Sequence, residues 1–213
     1  MSVLTAGQPA AMVLLAELRA QVGDYRQAEQ LYQRAADAQF PEALAWLAQR
    51  REEAGERDGA EQAVLAALGV AENDGSATEC LKWLVQRREE HGDRDGAEQL
   101  AKRGLDAGAD DALRWLAELR QESGDLHGAQ QLYEYAAQDG HSFGRYGLAI
   151  CLAKAGDRQA ARNEHLQCVN AGYFRAARRM AAFLGGEDGQ RMMRYGLELG
   201  GSPCAPWHRD ERY

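Results

Sequence analysis

Apolar and polar positions along this chain follow a helical period, and the period breaks and restarts at regular intervals. Leu44, Leu47 and Ala48 are spaced for one face of a helix, with Gln, Arg and Glu filling the positions between. The same pattern returns almost word for word. Leu44–Glu61 reads LAWLAQRREEAGERDGAE, Leu81–Glu98 reads LKWLVQRREEHGDRDGAE, and Leu113–Gln130 reads LRWLAELRQESGDLHGAQ. Divergent copies flank these three, at Met12–Glu29 and Arg145–Arg162. The anchor of each copy is a glycine: Gly23, Gly55, Gly92, Gly124 and Gly156, at spacings of 32, 37, 32 and 32 residues. A leucine stands eight residues before each anchor (Leu15, Leu47, Leu84, Leu116, Leu148) and an alanine five after it (Ala28, Ala60, Ala97, Ala129, Ala161).

Each copy therefore reads as two helices. The anchor glycine ends the first, because a left-handed residue is needed there. The acidic residue that follows (Asp24, Glu56, Asp93, Asp125, Asp157) can cap the second by accepting from its free N–H groups. The alanines mark close helix approach, and Tyr32 and Tyr133 fill larger holes. The pattern predicts helices over 8–21, 25–37, 42–54, 57–69, 77–91, 94–107, 111–123, 126–139, 143–155, 158–171, 174–184 and 189–199. The fold class is all-α: a solenoid of about six antiparallel helix-turn-helix repeats forming a right-handed superhelix. Residues 1–200 form the repeat domain and 201–213 a tail. The connection Gly69–Ser76 is about five residues longer than its counterparts, which marks a kink or a surface loop.

The run GDYRQAEQLYQRAA (Gly23–Ala36) resembles the tetratricopeptide repeat, with glycine, acid, tyrosine and then Ala, Tyr and Ala at that family's offsets. AADAQFPEALAWLA (Ala35–Ala48) and YEYAAQDGHSFGRYGLA (Tyr133–Ala149) resemble Sel1-like repeats. The resemblance covers roughly residues 8–200 and implies stacked helix pairs that bind proteins or peptides. One departure is that arginine (Arg19, Arg51, Arg88, Arg120) replaces the family's large aromatic in the first helix. Arg19, Arg51 and Arg88 each precede a glutamate by ten residues (Glu29, Glu61, Glu98). In the fourth copy Arg120 meets Gln130, and in the fifth Leu152 replaces the arginine and Arg162 the glutamate. This covariation predicts an Arg–Glu bridge between the two helices of one repeat, Arg51 with Glu61 and Arg88 with Glu98.

Trp46, Trp83 and Trp115 recur one residue before the repeat leucine, on the side away from Leu44. In tetratricopeptide-like arrays the matching positions line the inner groove. The candidate partner-binding residues are Trp46, Gln49, Arg50, Trp83, Gln86, Arg87, Arg114, Trp115, Phe143 and Tyr146. Aromatic and arginine side chains give large contact areas at low entropic cost. The other reading of each tryptophan is a residue packed between neighbouring first helices with only its edge wet. At Gly147 a tryptophan is replaced by glycine, which predicts either a hollow beside Trp115 that takes an apolar anchor or small ligand, or a gap closed by neighbouring aromatics.

A formal net charge of −8 argues against nucleic acid and against anionic membranes, since neither attracts an acidic surface. Phosphate loops, GxSxG and HExxH are missing, so the chain is read as non-catalytic, with no cofactor and no metal. Paired carboxylates such as Glu52 with Glu53, and Glu89 with Glu90, read as a solvated helix face. His165 with Cys168 and Cys204 with His208 have metal-compatible spacings that nothing else supports. The beginning of the chain has no basic n-region, and the apolar run Met12–Ala16 is short, so the expected location is cytoplasmic with reduced thiols. Cys151 and Cys168 fall on the two helices of one repeat, where Sel1-like proteins can carry a disulfide. The expected function is an interaction scaffold for a peptide or protein segment, with a homodimer formed through the array ends as the alternative. The tail, which holds Trp207, is expected to cover the last helix pair.

Overall fold

The computed structural model describes residues 8–70 and 75–170, with Ala182, Glu187 and Gln190 beyond them. The described residues form helices and no strands. They are α1 (Gln8–Gln21), α2 (Tyr25–Asp37), α3 (Pro41–Glu53), α4 (Arg57–Val70), α5 (Gly75–Glu90), α6 (Arg94–Asp106), α7 (Asp111–Glu122), α8 (Leu126–Gln138), α9 (Ser142–Lys154) and α10 (Arg158–Asn170). These agree with the predicted spans to within two residues at each end. The expected helices at 174–184 and 189–199 and the tail with Trp207 lie outside the described residues. The extra residues of the Gly69–Ser76 connection are partly absorbed into helix: α4 runs to Val70 and α5 starts at Gly75.

By packing, the chain divides into two units, residues 1–116 and 117–213, with the boundary inside α7. In the first unit α1 packs on α2, α3 on α4 and α5 on α6, and the pairs meet through α2 with α3, α3 with α5 and α4 with α5. This neighbour-to-neighbour order is that of a helical repeat. In the second unit α8 packs on α9 and α9 on α10.

The local chemistry works as the sequence predicts. Asp24, Asp93, Asp125 and Asp157 cap the second helices by accepting from Gln27, Gly96, Gly128 and Ala160 N–H groups at 3.0–3.3 Å. The repeat alanines 28, 60, 97, 129 and 161 are all buried. Leu47, Leu84, Leu116 and Leu148 are buried too, each contributing about 1.5–3 kcal/mol. Leu15 is the exception at 42% exposed.

The Arg–Glu bridges differ from the expectation. Arg88, 4% exposed, reaches back into the preceding hairpin. Its Nε and Nη2 donate to the two carboxylate oxygens of Glu52 at 3.2 and 3.0 Å, its Nη1 to Glu61 at 3.5 Å, and Nη2 also to the Arg57 carbonyl at 3.2 Å. Arg88 thus pairs with Glu61 of the preceding repeat and not with Glu98 of its own. Arg51 donates to the Gly59 carbonyl at 3.1 Å and not to Glu61. The position that holds Glu52 before Arg88 holds Ala20 before Arg51, so Arg51 finds no buried carboxylate behind it. Glu52 is itself buried, at 8% exposed, which corrects its reading as solvated; Glu53 is exposed as expected.

Burial of Arg88 alone would lower its pKa. The hydrogen bond and charge of Glu52, then those of Glu61, outweigh this and raise it. The guanidinium therefore stays charged inside the stack.

Second helices end on a left-handed residue in three described hairpins: Gly108 and Gly140 at φ +88° and +85°, and Gln39 at +58°. Only glycine adopts that region without a Cβ clash. Gln39→Gly is therefore expected to raise stability by about 1 kcal/mol, read as a higher urea midpoint at unchanged m-value. A midpoint that stays put or falls contradicts the assignment of strain to Gln39.

Candidate functional site

Each first helix of the first unit buries one side and leaves the other open. On α3, Ala43, Leu44, Leu47 and Ala48 are buried while Glu42, Arg50 and Glu53 are exposed and Trp46 and Gln49 half-buried. On α5, Trp83, Gln86 and Arg87 are half-buried on the matching side, and Arg114 and Trp115 are half-buried at the start of α7. Because α3 packs on α5, the Trp46 and Trp83 rows are neighbours. Phe143 and Tyr146, also half-buried, belong to the second unit: Phe143 lies 5.8 Å from the His141 ring, and Tyr146 meets His165 edge-on at 6.4 Å.

Trp46, Trp83 and Trp115 are all half-buried. Trp46 stacks flat on Tyr32 of α2, centroids 4.1 Å apart and planes 9° apart. The Arg50 guanidinium lies over Trp46 at 6.0 Å, and that of Arg87 over Trp83 at 5.3 Å. These contacts hold the rings at fixed angles. Neighbouring carboxylates and amides position the polar groups. Arg50 pairs with Glu53, Gln86 donates to Glu90 at 2.8 Å, and Arg114 is held by Asp110 and Asp111.

Gly147 packs directly against Tyr133. A Cβ on Gly147 would come within 2.1 Å of the Tyr133 ring. Tyr133 occupies in the fourth repeat the position of Tyr32 in the first, and Gly147 in the fifth that of Trp46 in the second. Two rings stack in one place, whereas in the other a single ring takes the space and the partner shrinks to glycine.

A recess of ≈ 460 Å³ opens between α2 and α3. Tyr25, Glu29 and Tyr32 line it from α2, and Trp46, Arg50 and Glu53 from α3. Burial first, then the charges of Glu17 and Glu42, push the Tyr32 phenol up, so negative field reaches this ring. Sequence reasoning missed Tyr25, Glu29 and Tyr32 as site residues. The available signal was Tyr32 itself, whose equivalents Val64 and Ala101 are much smaller.

Among the described residues no group of three His, Cys, Asp or Glu side chains is placed to hold a metal ion; Cys204 and His208 lie outside them. Cys80, Cys151 and Cys168 are free thiols. Burial pushes Cys80 up to about 12, with Glu52 adding to it, and Cys151 and Cys168 up to about 11, so all three are poor nucleophiles at neutral pH. Among the described residues no helix is long and apolar enough to cross a membrane.

No protein-family model matches the sequence, and no curated protein matches it. Among solved structures, the chain is similar to the crystal structure of MamA protein, at 16% identity and a TM-score of 0.39, over 92% of this chain and 99% of that one. The paired helices and their neighbour-to-neighbour packing fit a tetratricopeptide-like repeat fold.

Proposed function

We propose that the chain is a non-catalytic interaction scaffold, of the tetratricopeptide-like or Sel1-like kind, whose open strip on the first helices takes a peptide or protein segment. The observation that carries this reading is the half-open tryptophan with an arginine laid over it, repeated at Trp46 with Arg50 and Trp83 with Arg87. Trp115 continues the row at the same repeat position. Rigid aromatics beside arginine are the residue types that dominate binding energy at protein interfaces. Trp83→Ala is expected to weaken capture of a partner drawn from the native host by more than about 1 kcal/mol, measured by titration, with the thermal midpoint little changed. A sharp drop in midpoint with binding by the surviving fold intact would make Trp83 a core residue instead.

A second reading is favoured by α1. Leu14, Leu15, Leu18 and Val22 are 63%, 42%, 58% and 75% exposed on one helix face. A contiguous exposed apolar face marks an interaction surface, and this one suits a second copy of this chain. If so, Leu18→Glu converts a dimer to a monomer in sedimentation equilibrium. A wild-type chain that is monomeric at high micromolar concentration removes this reading.

A further inference from the structure

Glutamate recurs at one position of the second helix as Glu29, Glu61 and Glu98. Glu61 receives two arginines from the following hairpin: Arg88 at 3.5 Å, and Arg103, with which it is in close contact. Glu29 stands at the same position one hairpin earlier, exposed, and among the described residues it makes no hydrogen bond or ion pair. The arginine equivalent to Arg88 is Arg51, which is turned to the Gly59 carbonyl. The site at Glu29 thus keeps the carboxylate of an arginine-binding position without its arginine.

What surrounds Glu29 suits the missing group. The ≈ 460 Å³ recess beside it is walled by Tyr32 and Trp46 and rimmed by Tyr25, which is 72% exposed. The one cation in the wall, Arg50, is already neutralised by Glu53, so Glu29 is the uncompensated charge. A planar guanidinium can accept contact from aromatic faces and donate to a carboxylate at once, which an ammonium does less well.

We propose that this recess takes the guanidinium of an arginine in the bound partner segment, with Glu29 as its anion and the Tyr25 and Trp46 rings as its walls. The proposal rests on the peptide-binding reading above and adds the chemistry of one side chain of the partner. The recess is built by α1, α2 and α3 alone, at the start of the tryptophan row.

The test uses the full chain and two capped pentapeptides, Ala-Ala-Arg-Ala-Ala and its citrulline analogue, with the indole N–H signals of the tryptophans followed by NMR. At millimolar peptide, the Trp46 signal is expected to shift with arginine and not with citrulline, which has the same shape without the charge. Glu29→Gln should weaken the arginine peptide by about tenfold, the scale of a lost charge-assisted bond, with an unchanged thermal midpoint because Glu29 is exposed. Glu79→Gln, which removes an exposed carboxylate of α5, should leave the affinity as it was. A silent Trp46, an equal response to citrulline, or an equal loss in Glu79→Gln overturns the proposal. If Trp83 and Trp115 shift while Trp46 does not, the strip binds peptide and the recess does not; the strip reading itself stands or falls on Trp83→Ala.

Discussion

Arg88 sits between two hairpins with 4% of its surface exposed. A guanidinium in that place is tolerated only if every lost water contact is replaced, since an unpaired buried charge costs several kcal/mol. Two oxygens of Glu52, one of Glu61 and the Arg57 carbonyl replace them. Glu52 comes from the first helix of the preceding hairpin and Glu61 and Arg57 from its second, so all four bonds close together only in one register of hairpin on hairpin. At the surface, Arg57 with Asp93 and Arg103 with Glu61 join the same two hairpins, but exposed pairs of this kind add little. The register that Arg88 selects is what sets the Trp46 and Trp83 rows side by side.

Hydrophobic packing supplies the bulk of the stability around that fixed point. A single helix hairpin cannot hide its own apolar faces, so each one depends on its neighbours. Small residues set the approach distance: a Cβ on Gly104 would strike Leu81, and one on Gly144 would strike the backbone of Ala136 and Ala137. Volume is shared between facing positions and not fixed at either, as the Tyr32–Trp46 stack and the Tyr133–Gly147 pair show.

Much of this was legible in the sequence because it is local. Capping aspartates, anchor glycines and the 3.6-residue period act within a few residues of themselves, and helix ends fell within two residues of expectation. The Arg88 pairing was misassigned, although the fourth repeat carried the signal. Arg120 has Gln130 in its own hairpin but Glu98 in the hairpin before, and Leu152 follows the hairpin that holds Gln130. The covariation therefore fits a partner in the preceding hairpin better than one in the same hairpin. Glu52 was hidden by its neighbour: two adjacent glutamates look alike, yet Glu52 stands eight residues after Leu44 and turns inward while Glu53 turns out. Leu15 erred in the opposite sense, carrying the core pattern on a helix face that is exposed. The tryptophan row was visible as a pattern, whereas the recess at Glu29 was not, since it is lined by residues of two different helices that only packing brings together.

The claim on which the rest hangs is that Arg88 and Glu52 act as one buried unit joining two hairpins. A double-mutant cycle measures it directly, with Arg88→Ala, Glu52→Ala and the double variant compared by urea unfolding. The account predicts a coupling energy of about 2–3 kcal/mol, with the double variant much less damaged than the sum of the single ones. Effects that add to within about 0.5 kcal/mol would mean that the two side chains are independent, and the register would have to come from the apolar contacts alone.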